Sequence, residues 1–145
     1  MVNEGHTVCN HTYSHKDLSN ASLEEFSAEL ERLETVYKAC TGEEMGKFYR
    51  PPEGKFSLSA MRHANDLGYK TIFWSFAYAD WDNNKQMAQD AAKEKILSNI
   101  HNGAIILLHP TSSTNAQILG DVIKALKEQG YEFGTLEELT LQNSN

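Results

Sequence analysis

The sequence predicts an α/β fold in which helices alternate with buried strands, and three observations predict it. First, a segment ending at Gly runs directly into a β-branched or aromatic stretch three times: Asn65-Asp66-Leu67-Gly68-Tyr69-Lys70-Thr71-Ile72, Ile100-His101-Asn102-Gly103-Ala104-Ile105-Ile106 and Lys127-Glu128-Gln129-Gly130-Tyr131-Glu132-Phe133. In each, Gly supplies the left-handed backbone that stops a helix, and the following run suits a strand covered on both faces. Second, a chain of 145 residues with 40% apolar and 10% aromatic content is long enough for one domain with a real core. Third, the residues with catalytic potential fall just after the predicted strands, where loops converge in parallel α/β architectures.

The elements follow in order. Met1-Val2-Asn3-Glu4-Gly5-His6-Thr7-Val8 repeats the helix-end, Gly, strand-start pattern. The chain is therefore expected to open in the last turn of a helix whose beginning is missing. A strand is expected at 6–10. Ser22-Leu23-Glu24-Glu25 is a capping box, and Leu23, Phe26, Leu30, Leu33 and Tyr37 recur at helical spacing up to a stop at Gly42. Strands at 47–50, 69–75, 104–109 and 131–133 bring the number to about five. Between them, Ser57 caps a helix running through Leu67, a further helix covers 91–101, and Thr114 caps one running to Gln129. Thr135 opens a short last turn at 136–139. No linker or low-complexity tract interrupts 1–145, which reads as one domain.

Composition excludes several function classes. The net charge is −7 and only thirteen Lys and Arg are scattered along the chain, which excludes a nucleic-acid partner. No apolar run approaches the roughly 18 residues of a membrane span. The opening residues lack the basic start and apolar centre of a signal peptide. Cys9 and Cys40 have no CxxC spacing, and buried thiols are expected at both, with a disulfide or a redox role as the alternative.

Four clusters carry chemistry. His11 and His15, four residues apart after the first strand, are either two ligands of a zinc-like ion or ordinary turn histidines. Asp17 is a possible third ligand, but its position more naturally caps the turn into Leu18-Ser19. Arg50-Pro51-Pro52-Glu53-Gly54 is a stiff turn with a guanidinium at its base; it can aim a backbone N–H at an oxyanion, or be a plain surface loop. Asp80-Trp81 offers a carboxylate that can hold a histidine in one tautomer and an indole that can wall a sugar; the plainer reading is a turn aspartate beside a core tryptophan. His109 closes the run Ile105-Ile106-Leu107-Leu108 and suits a general acid, or a structural histidine bonded to a loop carbonyl. His6, His63 and His101 read as structural or exposed.

In this order and spacing, the clusters resemble the polysaccharide deacetylase (NodB-homology) family, carbohydrate esterase family four. The branch most similar deacetylates peptidoglycan N-acetylmuramic acid in forming muramic δ-lactam. The segment Asn10-His11-Thr12-Tyr13-Ser14-His15 resembles the family's H-[ST]-x-x-H metal motif, Phe48-Tyr49-Arg50-Pro51-Pro52-Glu53-Gly54 its arginine-proline motif, Asp80-Trp81 its D-W, and Leu107-Leu108-His109 its L-x-H.

The resemblance implies a (β/α) barrel-like fold of about seven strands, N-terminally truncated here to about five β/α units. It implies metal-assisted hydrolysis of N-acetyl groups on cell-wall glycan, with His11 and His15 as ligands of a divalent metal, zinc being the expected ion. Arg50 orients the base, the backbone at Pro52 and Glu53 forms the oxyanion site, Leu107 and Trp81 border the substrate, and Asp80 serves the acid His109. An extracytoplasmic location follows from the same resemblance.

The chain also departs from the family. The T-F-D-[DE]-G strand end that supplies the base aspartate and a third ligand has no counterpart, since no Asp-Asp or Asp-Glu pair occurs. Position 16 is Lys rather than Pro, position 53 is Glu rather than Tyr, and Ala77 replaces the first Asp of D-x-x-D-W. Impaired activity of these residues alone is therefore expected. The missing strands lead us to expect a homo-oligomer or a separate N-terminal segment completing the barrel. A glycan-binding protein without catalysis, contacting sugar through Trp74, Tyr78 and Trp81, is the rival expectation.

Overall fold

The computed structural model describes residues 1–142, which divide into two compact units, the first Met1–Phe73 and the second beginning at Trp74. Each unit repeats the predicted alternation of parallel strands and helices.

In the first unit a 3₁₀ turn at Val2–Glu4 ends at Gly5 with φ 80°, as the opening pattern predicted. Strand β1 (Cys9–Asn10), β2 (Gly46–Tyr49) and β3 (Lys70–Thr71) form a parallel sheet in the order β1-β2-β3. Helix α1 (Leu23–Thr41) starts at the Ser22 capping box, in which the Ser22 hydroxyl accepts from the Glu25 N–H and the Glu25 carboxylate accepts from the Ser22 N–H. It stops at Gly42, whose φ of 77° is open to glycine at no cost. Helix α2 (Leu58–Asp66) is capped by Ser57, as expected. The core here is Leu18, Phe26, Leu30, Tyr49, Ala60, Ala64 and Tyr69, with the Phe26 and Tyr49 rings edge to face at 5.3 Å.

In the second unit β4 (Phe76–Ala77) and β5 (Ile106–Leu107) pair in parallel. Helices α3 (Gln89–Leu97) and α4 (Ser113–Glu128) pack on each other through Ala92, Ile96, Ile118, Val122 and Leu126, joined by Phe76 and Tyr78. Helix α5 (Leu136–Gln142) opens where Thr135 and Glu138 exchange capping bonds, as the Thr135 prediction required.

Several expectations are corrected. The strand predicted at 69–75 is divided: Thr71 pairs with Tyr49 and Ile72 N–H still reaches the Tyr49 carbonyl, whereas Ser75 and Phe76 donate to Ile105. The run 131–133 is not a strand, because the Tyr131 N–H closes the end of α4 on the Leu126 carbonyl. Residues 105–108 are half-buried rather than covered on both faces. Helix α3 stops before 101, where the Asn99 side chain takes the Lys95 carbonyl at 2.8 Å and competes with helical continuation. Ser112, not Thr114, caps α4; the Thr114 hydroxyl donates to the Met87 carbonyl instead. Cys40 is exposed and Cys9 only partly buried, both as thiols.

Candidate active site

Two clusters of polar side chains lie at the carboxyl ends of strands, one in each unit. In the first unit β1 and β2 are parallel neighbours, so the residues that follow them emerge side by side. The Arg50 N–H donates to the Asn10 carbonyl at 2.9 Å, prolonging the ladder, and His11 Nδ1 lies 2.6 Å from the Arg50 carbonyl oxygen. A carbonyl only accepts, so Nδ1 carries the ring proton and the lone pair is on Nε2. That is the tautomer of a histidine prepared to ligate a metal, with its orientation set by a backbone acceptor.

The loop carrying the second imidazole is strained and heavily tied. Thr12 and His15 have φ of 64° and 57°, a left-handed region that costs an ordinary residue about 1–2 kcal/mol. Buried Asn10 meets part of that cost: its Oδ1 accepts from the Thr12 N–H at 3.0 Å, while its Nδ2 donates to the Leu30 carbonyl and the Tyr69 hydroxyl. The Thr12 hydroxyl accepts from the Lys16 N–H at 3.1 Å. The Glu29 carboxylate accepts from both the N–H and the hydroxyl of Ser14, at 2.9 and 2.8 Å. Burial raises the Glu29 pKa, but these bonds outweigh it and leave the carboxyl below its ordinary value. The Arg32 guanidinium covers the Tyr13 ring at 3.8 Å.

These ties bring the His11 and His15 rings to 4.9 Å between centroids. Two imidazole nitrogens each about 2.0–2.1 Å from one tetrahedral ion put their rings about 5 Å apart, so the pair fits two ligands of a zinc-like ion. Among the described residues no group of three His, Cys, Asp or Glu side chains is placed to hold a metal. Asp17 instead caps its own turn, accepting from the Ser19 N–H at 2.9 Å and facing Lys55.

The Arg50-Pro51-Pro52 turn is stiff and internally bonded. Pro51 and Pro52 are buried, and the N–H groups of Gly54 and Lys55 close on their carbonyls at 3.0 and 3.1 Å. Glu53 sits at φ 55° and ψ 10°, and neither turn bond uses its N–H. Its carboxylate points to Lys55 at 2.8 Å. The guanidinium of Arg50 is partly buried, which lowers its pKa, and it has no carboxylate partner among the described residues.

The second cluster centres on Asp80, only 1% exposed. His109 Nδ1–H donates to its Oδ1 at 2.6 Å, and the backbone N–H of His109 donates to its Oδ2 at 2.7 Å. The carboxylate thus fixes both the tautomer and the backbone of a histidine two residues past β5, with Nε2 as the atom for proton transfer. The exposed Trp81 indole meets the His109 ring edge-on at 6.1 Å. Leu107 lies in β5 opposite Ala77 and is half-buried. Tyr78 is buried in the core, which removes it from the expected sugar-contacting aromatics.

The residues that sequence reasoning missed surround Asp80. Asn115 Nδ2 donates to Asp80 Oδ2 at 2.6 Å, and the Tyr78 hydroxyl donates to Asn115 Oδ1. The Ser112 hydroxyl accepts from the Asn115 N–H and donates to Gln86, whose amide returns to the Asp80 carbonyl at 3.1 Å. The only advance signal was the helix start placed at Thr114; nothing in it points to Asp80.

Comparison with known proteins bears on both clusters. Residues 1–72, which include His11, His15 and Arg50, match the Polysaccharide deacetylase family. The chain is 39% identical to the peptidoglycan-N-acetylmuramic acid deacetylase PdaA of Bacillus subtilis over 143 residues, covering 98% of this chain and 54% of that protein. The solved structure of Bacillus subtilis PdaA, a family 4 carbohydrate esterase, superposes with a TM-score of 0.95 at 36% identity, over 99% of this chain and 62% of that one. A family 4 pseudoenzyme from Bacillus anthracis superposes with a TM-score of 0.83 at 31% identity, over 95% of this chain and 47% of its own. The chain thus spans about half the length of the curated relatives it matches.

Proposed function

Because the chain belongs to the polysaccharide deacetylase family, carbohydrate esterase family 4, we propose that it forms part of an enzyme that removes N-acetyl groups from cell-wall glycan, with peptidoglycan the preferred substrate. The observation that carries this reading is the 2.6 Å bond from His109 Nδ1 to buried Asp80, which leaves Nε2 as the proton-transfer atom of a general acid.

The reaction is hydrolysis of an amide: a C–O bond forms between water and the acetyl carbon, the C–N bond breaks, and acetate and a free amine leave. His109 delivers its Nε2 proton to the departing nitrogen, while Asp80 stabilises the ring from Nδ1. The backbone N–H of Glu53, held by the Pro51-Pro52 turn, donates to the oxygen that becomes negative. Leu107 borders the acetyl methyl and the Trp81 face lies along the sugar. Arg50 orients the carboxylate of the base. His11 and His15 hold the divalent metal, zinc by their chemistry, which when bound polarises the carbonyl and supplies a nucleophile at neutral pH.

No described residue supplies the base carboxylate or a third ligand, so these 145 residues alone turn over slowly. Acetate release from peptidoglycan and chito-oligosaccharides, with zinc added, tests this. Slow release by this chain and fast release by a longer chain carrying an upstream T-F-D-[DE]-G segment are expected; robust turnover by the 145 residues overturns the impairment, and an inactive longer chain overturns the activity.

The pseudoenzyme likeness supports a second reading, glycan binding without catalysis or a fragment completed by a partner. Retained binding to peptidoglycan with no metal by elemental analysis favours it. On either reading residues 1–145 belong to one catalytic-type domain acting outside the cytoplasm, completed by a second copy or an N-terminal segment. No described helix is long and apolar enough to cross a membrane.

A further inference from the structure

We propose that Asn115 is a positioning residue for the general acid, fixing the plane of the Asp80 carboxylate so that it keeps accepting from the His109 ring and holds the imidazole in one tautomer. This rests on the reading of His109 as that acid. Both groups beside Asn115 Nδ2 are pure acceptors, Asp80 Oδ2 at 2.6 Å and the His109 carbonyl at 3.3 Å. The amide therefore has one possible orientation: its two N–H bonds point to Asp80 and His109, and its oxygen faces the Tyr78 hydroxyl, which must donate. Every hydrogen-bonding atom of this buried side chain is committed.

The consequence lies in the count of donors around Asp80. Its Oδ1 accepts from the His109 ring, and its Oδ2 accepts from the His109 N–H and from Asn115. With Asn115 present, Oδ2 has two donors and the carboxylate plane is locked. Without it, one oxygen loses a charge-assisted bond and the carboxylate is able to turn, releasing the ring proton. Asn115 is itself anchored at the first turn of α4, where its N–H donates to the Ser112 hydroxyl at 3.1 Å. That hydroxyl donates to Gln86 Oε1 at 2.5 Å, and Gln86 Nε2 donates to the Asp80 carbonyl. The bonds close a loop that begins and ends on Asp80, so the start of α4 and the segment 80–86 hold each other in register. No buried side-chain nitrogen or oxygen among the described residues lacks a partner; the loop joins four residues, Asp80, Asn115, Ser112 and Gln86, with Tyr78 attached through Asn115.

Histidine-labelled NMR of the 145-residue chain tests this without requiring turnover. In the native chain His109 is expected in the Nδ1–H form, with a strongly deshielded ring proton protected from solvent. In Asn115→Leu, similar in size but without donors or acceptor, exchange of that proton is expected to speed up about tenfold or more and the ring nitrogens to move toward a mixture of tautomers. The ring signals of His63 stay unchanged, as do all signals in the surface control Gln117→Ala. A folded Asn115→Leu chain with unchanged His109 tautomer and exchange overturns the proposal. If that variant does not fold, Tyr78→Phe decides: faster His109 proton exchange supports the proposal and unchanged exchange overturns it. Loss of the Nδ1–H form in the native chain would instead overturn the assignment of His109 as acid.

Discussion

Asp80 grips His109 at two points, ring Nδ1 at 2.6 Å and backbone N at 2.7 Å, one on each carboxylate oxygen. Asp80→Asn must turn an amide N–H toward one of three donors, which either breaks a bond to a backbone or amide N–H or flips the His109 ring to the other tautomer. In an active longer chain kcat/KM is expected to fall about 10²- to 10⁴-fold, by analogy with the general cost of misorienting a catalytic imidazole. Asp80→Ala leaves the His109 N–H without its acceptor and the Asn115 amide with only the His109 carbonyl, and is expected to cost about 2–5 kcal/mol in chemical denaturation.

Zinc titration checks the first cluster. Calorimetry on the 145-residue chain should show one weak site, lost in both His11→Ala and His15→Ala and retained in His63→Ala, whose ring lies 5.9 Å from Phe26 instead. Excess chelator should abolish the signal in the native chain. Retained binding in His15→Ala would remove the pair from the metal site.

Asn10→Ala removes the acceptor for the Thr12 N–H and two further bonds of a side chain that is fully buried. A loss of about 2–4 kcal/mol is expected, together with weaker zinc binding, because the left-handed Thr12 and His15 then lack their tie. Thermal melts and the same titration measure the two effects.

Phe26 is fully buried and packs edge-on against Tyr49. Phe26→Ala should destabilise the chain by about 3–5 kcal/mol, through lost burial and the cavity left between α1 and the sheet. Urea unfolding gives the value directly.

Acid should weaken the start of α1. The Ser22 backbone bond, then Lys16, hold the Glu25 carboxyl below its ordinary value. A depressed folded pKa contributes stability that is present above the unfolded value and is lost as pH falls through the folded one. Glu25→Gln should therefore lower the urea midpoint slightly at neutral pH, and the difference from the native chain should vanish below the ordinary carboxylate range. A difference that persists in acid would assign the effect to packing.

Local order carried most of what could be read in advance. The Ser22 capping box, Gly42, Ser57 and the apolar spacing of α1 act within a few residues, so those helices stand where expected. His11, His15 and Arg50 in the first unit, and Asp80 and His109 in the second, could be singled out for a related reason: they follow apolar runs, and within each unit the parallel strands deliver their next residues to the same end of their own sheet. Strand extent was less legible, since a strand exists only where a neighbour pairs with it. The 131–133 run gave its first N–H to a helix end, and the 69–75 run divided between Tyr49 and Ile105.

The chain order of residues was thus enough to establish an α/β fold, and to place a histidine pair after the first strand and a further histidine after β5. It carried no trace of Asn115 and Gln86 bonding to Asp80, 35 and 6 positions away, or of Tyr78 bonding to Asn115, 37 positions away. A capping residue meets its partner one turn away whatever else the chain does. A buried carboxylate, in contrast, must collect its donors from whatever packing brings beside it, and that depends on where α4 comes to rest against α3 and the two strands.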